Sequence, residues 1–208
     1  MEGVSVRVPA ESPDGARHGG RRKITSKGEL EHIAFALFDE RGFDHTTIDD
    51  IAAAAGIGRR TFFRYFPSKN DIAWGSFDEQ LVHMHARFRA CAPELPLMDA
   101  IREVVVGFNS VEPEEVPWHR RRLSLILNVP ALQAHSTLRY ADWRRVVADF
   151  VAERLNQPAN SLEPQAISHA VLGVAVAAYE QWLSDEGSEL IPLLDKALRD
   201  LASGFKDV

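Results

Sequence analysis

The sequence predicts an all-α chain of about nine helices in two regions. Three observations carry this. Apolar residues recur at helical spacing in one segment after another. Proline or glycine stands at most joints between those segments. No run of four to eight residues alternates like a strand rich in β-branched residues.

The elements follow in order. Residues 1–22, rich in Gly, Pro and Ser and ending in basic residues, read as a flexible basic tail. A first helix starts near Ser26, where "SKGE" is a capping-box pattern with Ser26 as cap and Glu29 reaching back. Leu30, Ile33, Ala34, Leu37 and Phe38 form its apolar face, and Gly42 is expected to close it as a left-handed cap. A second helix opens at Thr47 with another capping box, "TIDD"; Ile48, Ile51, Ala52 and Ala55 form its inner face, and Gly56 breaks it. A third runs from about Gly58 to Tyr65, stopped by Pro67 through its restriction of Phe66. A fourth is expected from Ser68, with Asp71 at the capping-box position, to about Ala90, before "APELP". Beyond Pro96 the helical segments are 97–110, 114–128, 130–156, 164–186 and 189–206.

Composition narrows the class. No apolar run approaches the roughly 18–20 residues of a membrane-spanning helix, and the N-terminus lacks the apolar core of a secretory signal. A cytoplasmic protein with no membrane partner is therefore the expectation. One cysteine, Cys91, forms neither an internal disulfide nor a cysteine-rich metal site. The formal net charge is −6, but it is unevenly spread. Residues 17–69 hold ten Lys/Arg and seven Asp/Glu, whereas residues 70–208 hold thirteen and twenty. Such asymmetry suggests that one end meets a polyanion.

The basic end carries a motif. Ala52 stands four residues before Gly56, the small pair that lets two helices cross closely in a helix-turn-helix. Ile51, Ile57 and Phe62 supply the apolar wedge, and the following helix is left to expose Arg59, Arg60, Thr61 and Arg64. Such a helix can lie in the major groove, where the arginine fork matches guanine N7 and O6. Thr47 and Ser68 sit at helix N-termini suited to phosphate, and Lys69 adds charge beside the second. The bland alternative is a surface helix packed through an alanine-rich face. The upstream run "ARHGGRRK", with Arg22 and Lys23, is either a solvated tail or an arm entering the minor groove.

Residues 26–75 resemble the N-terminal domain of TetR-family transcriptional regulators. The family pattern is an apolar first helix ending in "F.ERGF", followed by "TT...IA..AGI..T.F.YF.SK"; this chain reads "FDERGFDHTTIDDIAAAAGIGRRTFFRYFPSKNDI". The resemblance implies a homodimer on a double-stranded, palindromic DNA operator, with variable C-terminal helices that bind a small effector, most often a repressor released by that effector. It implies a phosphate contact for Thr47 and Lys69, base reading by Arg59, Arg60 and Thr61, and aromatic contacts to the DNA backbone from Phe63 and Tyr65. Two residues depart from the pattern. The position of Phe63 is commonly tyrosine, so a hydroxyl contact is missing. That of Arg60 is often small, which implies an additional contact here. The segments "GRRTFFRYFPSKNDIAWGSFD", "HRRRLSLILNVPALQAHS" and "AYEQWLSDE" further resemble regulators associated with mycofactocin gene clusters, which implies a role in actinobacterial redox metabolism and an acyl-CoA-like effector.

Three regions are thus expected: the tail 1–22, a helix-turn-helix DNA-binding domain 23–69, and a helical ligand-binding and dimerisation domain 70–208. In the last, the small-residue stripe Ala166, Ala170, Gly173 and Ala177, together with Leu194, Leu198 and Leu201 on the apolar face of the final helix, suggests a four-helix dimer interface. Burial of both faces within one chain is the alternative. Polar or aromatic residues on apolar faces are the pocket candidates: Phe108, Asn109, Trp118, Arg122, Leu125, Tyr140, Trp143, His169 and Tyr179. Core packing is the alternative for each. The run "HRRR", His119–Arg122, reads as a solvated helix face in preference to an anion site.

An enzyme is not expected. No G-x-S-x-G, phosphate-cradling glycine loop or C-x-x-C is present. His83 and His85 fall on different helical faces, and Cys91 has no evident activating partner. The sequence calls for no catalytic residue, metal or cofactor. A DNA-binding factor of the same fold that organises the nucleoid or controls division, without local promoter regulation, is the rival function.

Overall fold

The computed structural model describes residues 26–206; Arg22, Lys23 and the rest of the expected tail lie outside the described residues. The described residues form nine α-helices and two short 3-10 turns, with no strand among them. No helix among them is long and apolar enough to cross a membrane.

Helices α1 (Lys27–Arg41), α2 (Ile48–Ala55) and α3 (Arg59–Tyr65) make up the N-terminal unit. Both capping boxes are formed. Ser26 Oγ accepts the Glu29 N–H at 3.1 Å while the Glu29 carboxylate accepts the Ser26 N–H at 3.3 Å. Thr47 Oγ1 accepts the Asp50 N–H at 3.1 Å, and Asp50 returns the bond to the Thr47 N–H at 2.8 Å. Each box satisfies donors that a helix start leaves orphaned. Gly56 turns the chain in the left-handed region (φ 68), where a side chain would be strained. Gly42 does not close α1 as a left-handed cap: its φ of 83 is paired with a ψ of 154, so the chain leaves in an extended direction. Leu30, Ala34, Phe35, Leu37 and Phe38 of α1 share one buried cluster with Ile51, Ala55, Phe62 and Phe66.

The single helix expected over 68–90 is divided. Asn70–Trp74 form a 3-10 turn, Gly75 reverses the backbone at φ 51, and α4 spans Phe77–Ala90. Ser68 gives its hydroxyl to Asp71 Oδ2 at 2.6 Å. The turn buries Ile72, Ala73 and Trp74 against the rest of the chain.

The larger unit contains α4, α5 (Leu97–Phe108), α6 (Val116–Asn128, preceded by a 3-10 turn at Pro113–Glu115), α7 (Pro130–Leu155), α8 (Leu162–Ser184) and α9 (Leu190–Ser203). α4 packs on α5 and α7, α6 on α7 and α8, and α8 on α9, which returns to α5. The main apolar cluster runs from Leu30 to Leu198 across the boundary expected at residue 69.

Leu194 and Leu198 correct the expected interface. Both are fully buried within the chain, because the apolar face of α9 turns onto α5 and α8. The Arg102–Asp195 ion pair at 2.7 Å fixes that docking from the side. Leu201 is half-buried. The stripe on α8 lies on the other side: Ala166, Gly173 and Ala177 are exposed and Ala170 is half-buried. A Cβ added at Gly173 would meet nothing within 4 Å.

Candidate nucleic-acid interface and internal cavity

α3 is a seven-residue helix held from behind. Phe62 is fully buried and Phe66, just after it, nearly so; Arg59, Arg60, Phe63 and Arg64 are exposed, with Thr61 and Tyr65 half-buried beside them. Thr47 is exposed at the start of α2. These residues form one basic, partly aromatic face. Arg59 is not idle: its guanidinium holds both Asp49 oxygens, at 2.9 and 3.0 Å, and leans on the Phe63 ring at 5.7 Å. Both partners of that pair are more than half exposed, so the bond is screened and readily exchanged for another anion. Lys69 is turned inward. Its ammonium donates to the Phe43 and Thr46 carbonyls at 2.7 and 3.0 Å and sits 4.2 Å from the centre of the Phe43 ring. Burial holds it below the usual lysine range despite nearby Asp44. It pins the loop that leads into Thr47, and one of its three N–H donors is not used in those bonds.

A cavity of about 310 Å³ lies behind α1, among α4, α5, α6, α7 and α8. Seven of the nine sequence candidates line it: Phe108, Asn109, Trp118, Arg122, Tyr140, Trp143 and Tyr179. Two do not. Leu125 points from another face of α6 into the main core, and His169 is exposed on α8, its Nδ1 2.8 Å from the Gln165 carbonyl. The walls are largely apolar and aromatic, with Trp74, Phe77, Leu123, Ile126 and Leu172 added to the expected set. Tyr179 donates to Asn109 Oδ1 at 2.5 Å, and Asn109 donates to the Val105 carbonyl at 2.9 Å, so this buried pair is satisfied internally. Burial raises the phenols of both Tyr140 and Tyr179, which stay neutral at ordinary pH.

The polar end of the cavity joins the expected Arg122 to His119 and Glu31, which were not among the candidates. The run His119–Arg122 is not a solvated face. Arg120 reaches the Trp182 and Asp185 carbonyls, the latter at 2.8 Å. Arg121 binds Asp39 at 2.9 Å and the Phe35 carbonyl at 3.1 Å. Arg122 pairs with Glu31 and donates to the Ala73 carbonyl at 3.2 Å. His119 and Glu31 both line the cavity. Burial, reinforced by the Arg122 charge, lowers the His119 imidazole to about 4, so it is neutral near pH 7. Its Nε2 and the Trp74 Nε1 are buried without a hydrogen-bond partner. The bonds of Arg121 and Arg122 cross 49 to 91 residues of sequence, and nothing local signals them. No group of three or more metal-binding side chains occurs among the described residues.

Residues 32–73 match the family model described as bacterial regulatory proteins, tetR family, and residues 95–206 match the one described as the MftR C-terminal domain. A protein of Mycobacterium tuberculosis named for the regulation of mycofactocin biosynthesis, MftR, is 40% identical over 89% of this chain and 94% of its own. The transcriptional regulator TcmR of Streptomyces glaucescens is 29% identical over 74% of this chain and 72% of its own. Among solved structures, a TetR-family regulator from Syntrophomonas wolfei superposes with a TM-score of 0.64 at 16% identity, covering 88% of this chain and 97% of that one. Thermus thermophilus FadR, a repressor solved with lauroyl-CoA, superposes at 0.55 and 19% identity, covering 86% and 94%.

Proposed function

Because this chain belongs to the TetR family of bacterial transcriptional regulators, we propose that it acts in the cytoplasm as a homodimeric repressor on a palindromic operator. Small-molecule binding in the α4–α8 cavity releases it. DNA-binding regulation is the property of the family as a whole.

The observation that carries it is α3 itself. A short helix anchored by buried Phe62 exposes Arg59, Arg60 and Arg64 on one face, the arrangement a major-groove reader needs. Arg59, Arg60 and Thr61 read base edges, while Thr47, Phe63, Arg64, Tyr65 and Lys69 address the backbone. The dimer forms through the outer face of α8, where Ala166, Gly173 and Ala177 allow a second helix to approach. The effector is acyl-CoA-like. The lauroyl-CoA in the Thermus thermophilus structure and the largely apolar walls of the cavity here both support that class.

The test is operator selection from random duplex DNA with the purified protein, followed by gel-shift titration. Arg60→Ala is expected to weaken the selected operator by about 1–3 kcal/mol and scrambled DNA far less. Equal affinity of the variant and the native chain for the operator would remove Arg60 from base reading.

A further inference from the structure

We propose that Glu31 and Arg122 form a charge-exchange latch, in which the effector's anionic group takes Arg122 away from Glu31 and so acts directly on α1. The inference rests on the cavity being the effector site; it names the ligand's chemistry and the residue that receives the signal.

Among the described residues lining the cavity, Arg122 is the only lysine or arginine. It is four-fifths buried and stands beside the Phe35 and Trp118 rings, 5.7 and 6.0 Å from their centres. Its partner Glu31 is more buried still, and the same Glu31 oxygen accepts the Trp118 indole N–H at 3.3 Å. Glu31 belongs to the DNA-binding unit, whereas Arg122 and Trp118 belong to α6. A wholly neutral, apolar ligand would leave this pair undisturbed. A carboxylate or phosphate would compete for the guanidinium fork, which suits either group. Neutral His119, on the same helix and lining the same cavity, has a buried Nε2 free to bond the incoming group.

The consequence for α1 follows from burial. A carboxylate stripped of its cation inside the protein is strongly disfavoured and must regain a partner or reach water. With Arg122 drawn away, Glu31 keeps only the Trp118 indole N–H of these two partners, and the tie between α1 and α6 is loosened. The backbone packs tightly around the pair: a Cβ at Gly75 would lie 2.5 Å from Arg122 Nη1 and 2.9 Å from Glu31 Oε2. The exchange therefore also presses on the joint between the 3-10 turn and α4.

The test titrates the full-length protein with dodecanoate, dodecanoyl-CoA and dodecan-1-ol, read by calorimetry and by quenching of the cavity tryptophans. The three probes share a chain and differ in head group. The latch expects at least one anionic probe to bind roughly tenfold tighter than the alcohol. It expects Glu31→Gln, which keeps the shape and removes the competing charge, to tighten that probe by roughly a further tenfold and leave the alcohol unchanged. Gain confined to dodecanoate identifies a carboxylate, and gain confined to dodecanoyl-CoA identifies the phosphates. Alcohol binding as tight as both anions, or Glu31→Gln failing to tighten either anion, overturns the latch and leaves the cavity as an effector site. Binding of none of the three overturns the latch and the cavity reading together. Far-ultraviolet circular dichroism and thermal melts confirm that Glu31→Gln is folded, and Arg122→Lys, which keeps the charge without the fork, is expected to retain part of the preference for anions.

Discussion

Single residues on the proposed DNA-binding face are set by competition between local partners. Arg59 is held by Asp49, so the proposed base reading must exchange a carboxylate for base-edge acceptors. Asp49→Ala is expected to raise affinity for every duplex by removing a negative charge near the phosphates, and for the operator most, because it frees Arg59 to read bases. Gel-shift titration on operator and scrambled DNA at two salt concentrations checks this; a gain on the operator no larger than that on scrambled DNA would contradict base reading by Arg59. His119 supplies a pH dependence. Its folded value of about 4 lies below the ordinary 6.5, so between those two values the unfolded chain takes up a proton that the folded chain refuses. The stability due to neutral burial is complete above 6.5 and drains as pH falls toward 4, by up to about 3 kcal/mol. Urea unfolding of the native chain and of His119→Phe across that range should show the native chain losing stability more steeply.

At the scale of elements, the joint between the DNA-binding unit and the helical body is made of buried polar bonds. Asp71, in the 3-10 turn that follows α3, accepts from Arg139 at 2.5 Å and lies 3.2 Å from the His135 ring nitrogen, both on α7. Arg139 reaches on to Asp78 of α4 at 2.8 Å. Burial alone would raise the Asp71 carboxyl; the bonds from Ser68 and Arg139 and the charges of His135 and Arg139 outweigh it and hold it below 3.8. Its contribution is therefore present above that value and lost as pH falls through the depressed one. Asp71→Asn leaves Arg139 with a weakened partner and is expected to cost about 3 kcal/mol, read as a lower denaturant midpoint. The capping boxes at Ser26 and Thr47 were legible beforehand because their partners lie three residues apart. The break at Gly75 was signalled only by a lone glycine in a helical pattern. What decides it is the burial of Ile72, Ala73 and Trp74, a tertiary fact.

At the scale of the molecule, the arrangement expected is two chains joined through α8, each presenting α3 to successive turns of one duplex. Gly173→Glu places a charge on the exposed stripe while touching nothing within its own chain. It is expected to shift the protein toward monomer in analytical ultracentrifugation and to weaken operator binding with little change in melting temperature of the monomer. An unchanged sedimentation coefficient would move the interface elsewhere.

The sequence alone determined the helices of the N-terminal unit, the face that α3 exposes and the family to which both belong. Those features depend on neighbours within one or two helical turns, and the chain carries them as spacing. Only the tertiary structure decided that Leu194 and Leu198 are interior to one chain, because an amphipathic stripe specifies burial without specifying against what. The same holds for the cavity. Seven of its residues were marked as aromatic or polar groups on apolar faces, but Glu31 and His119 were not. Their significance lies in contacts with residues far away in sequence, which the packing of α6 against α1 and α8 creates.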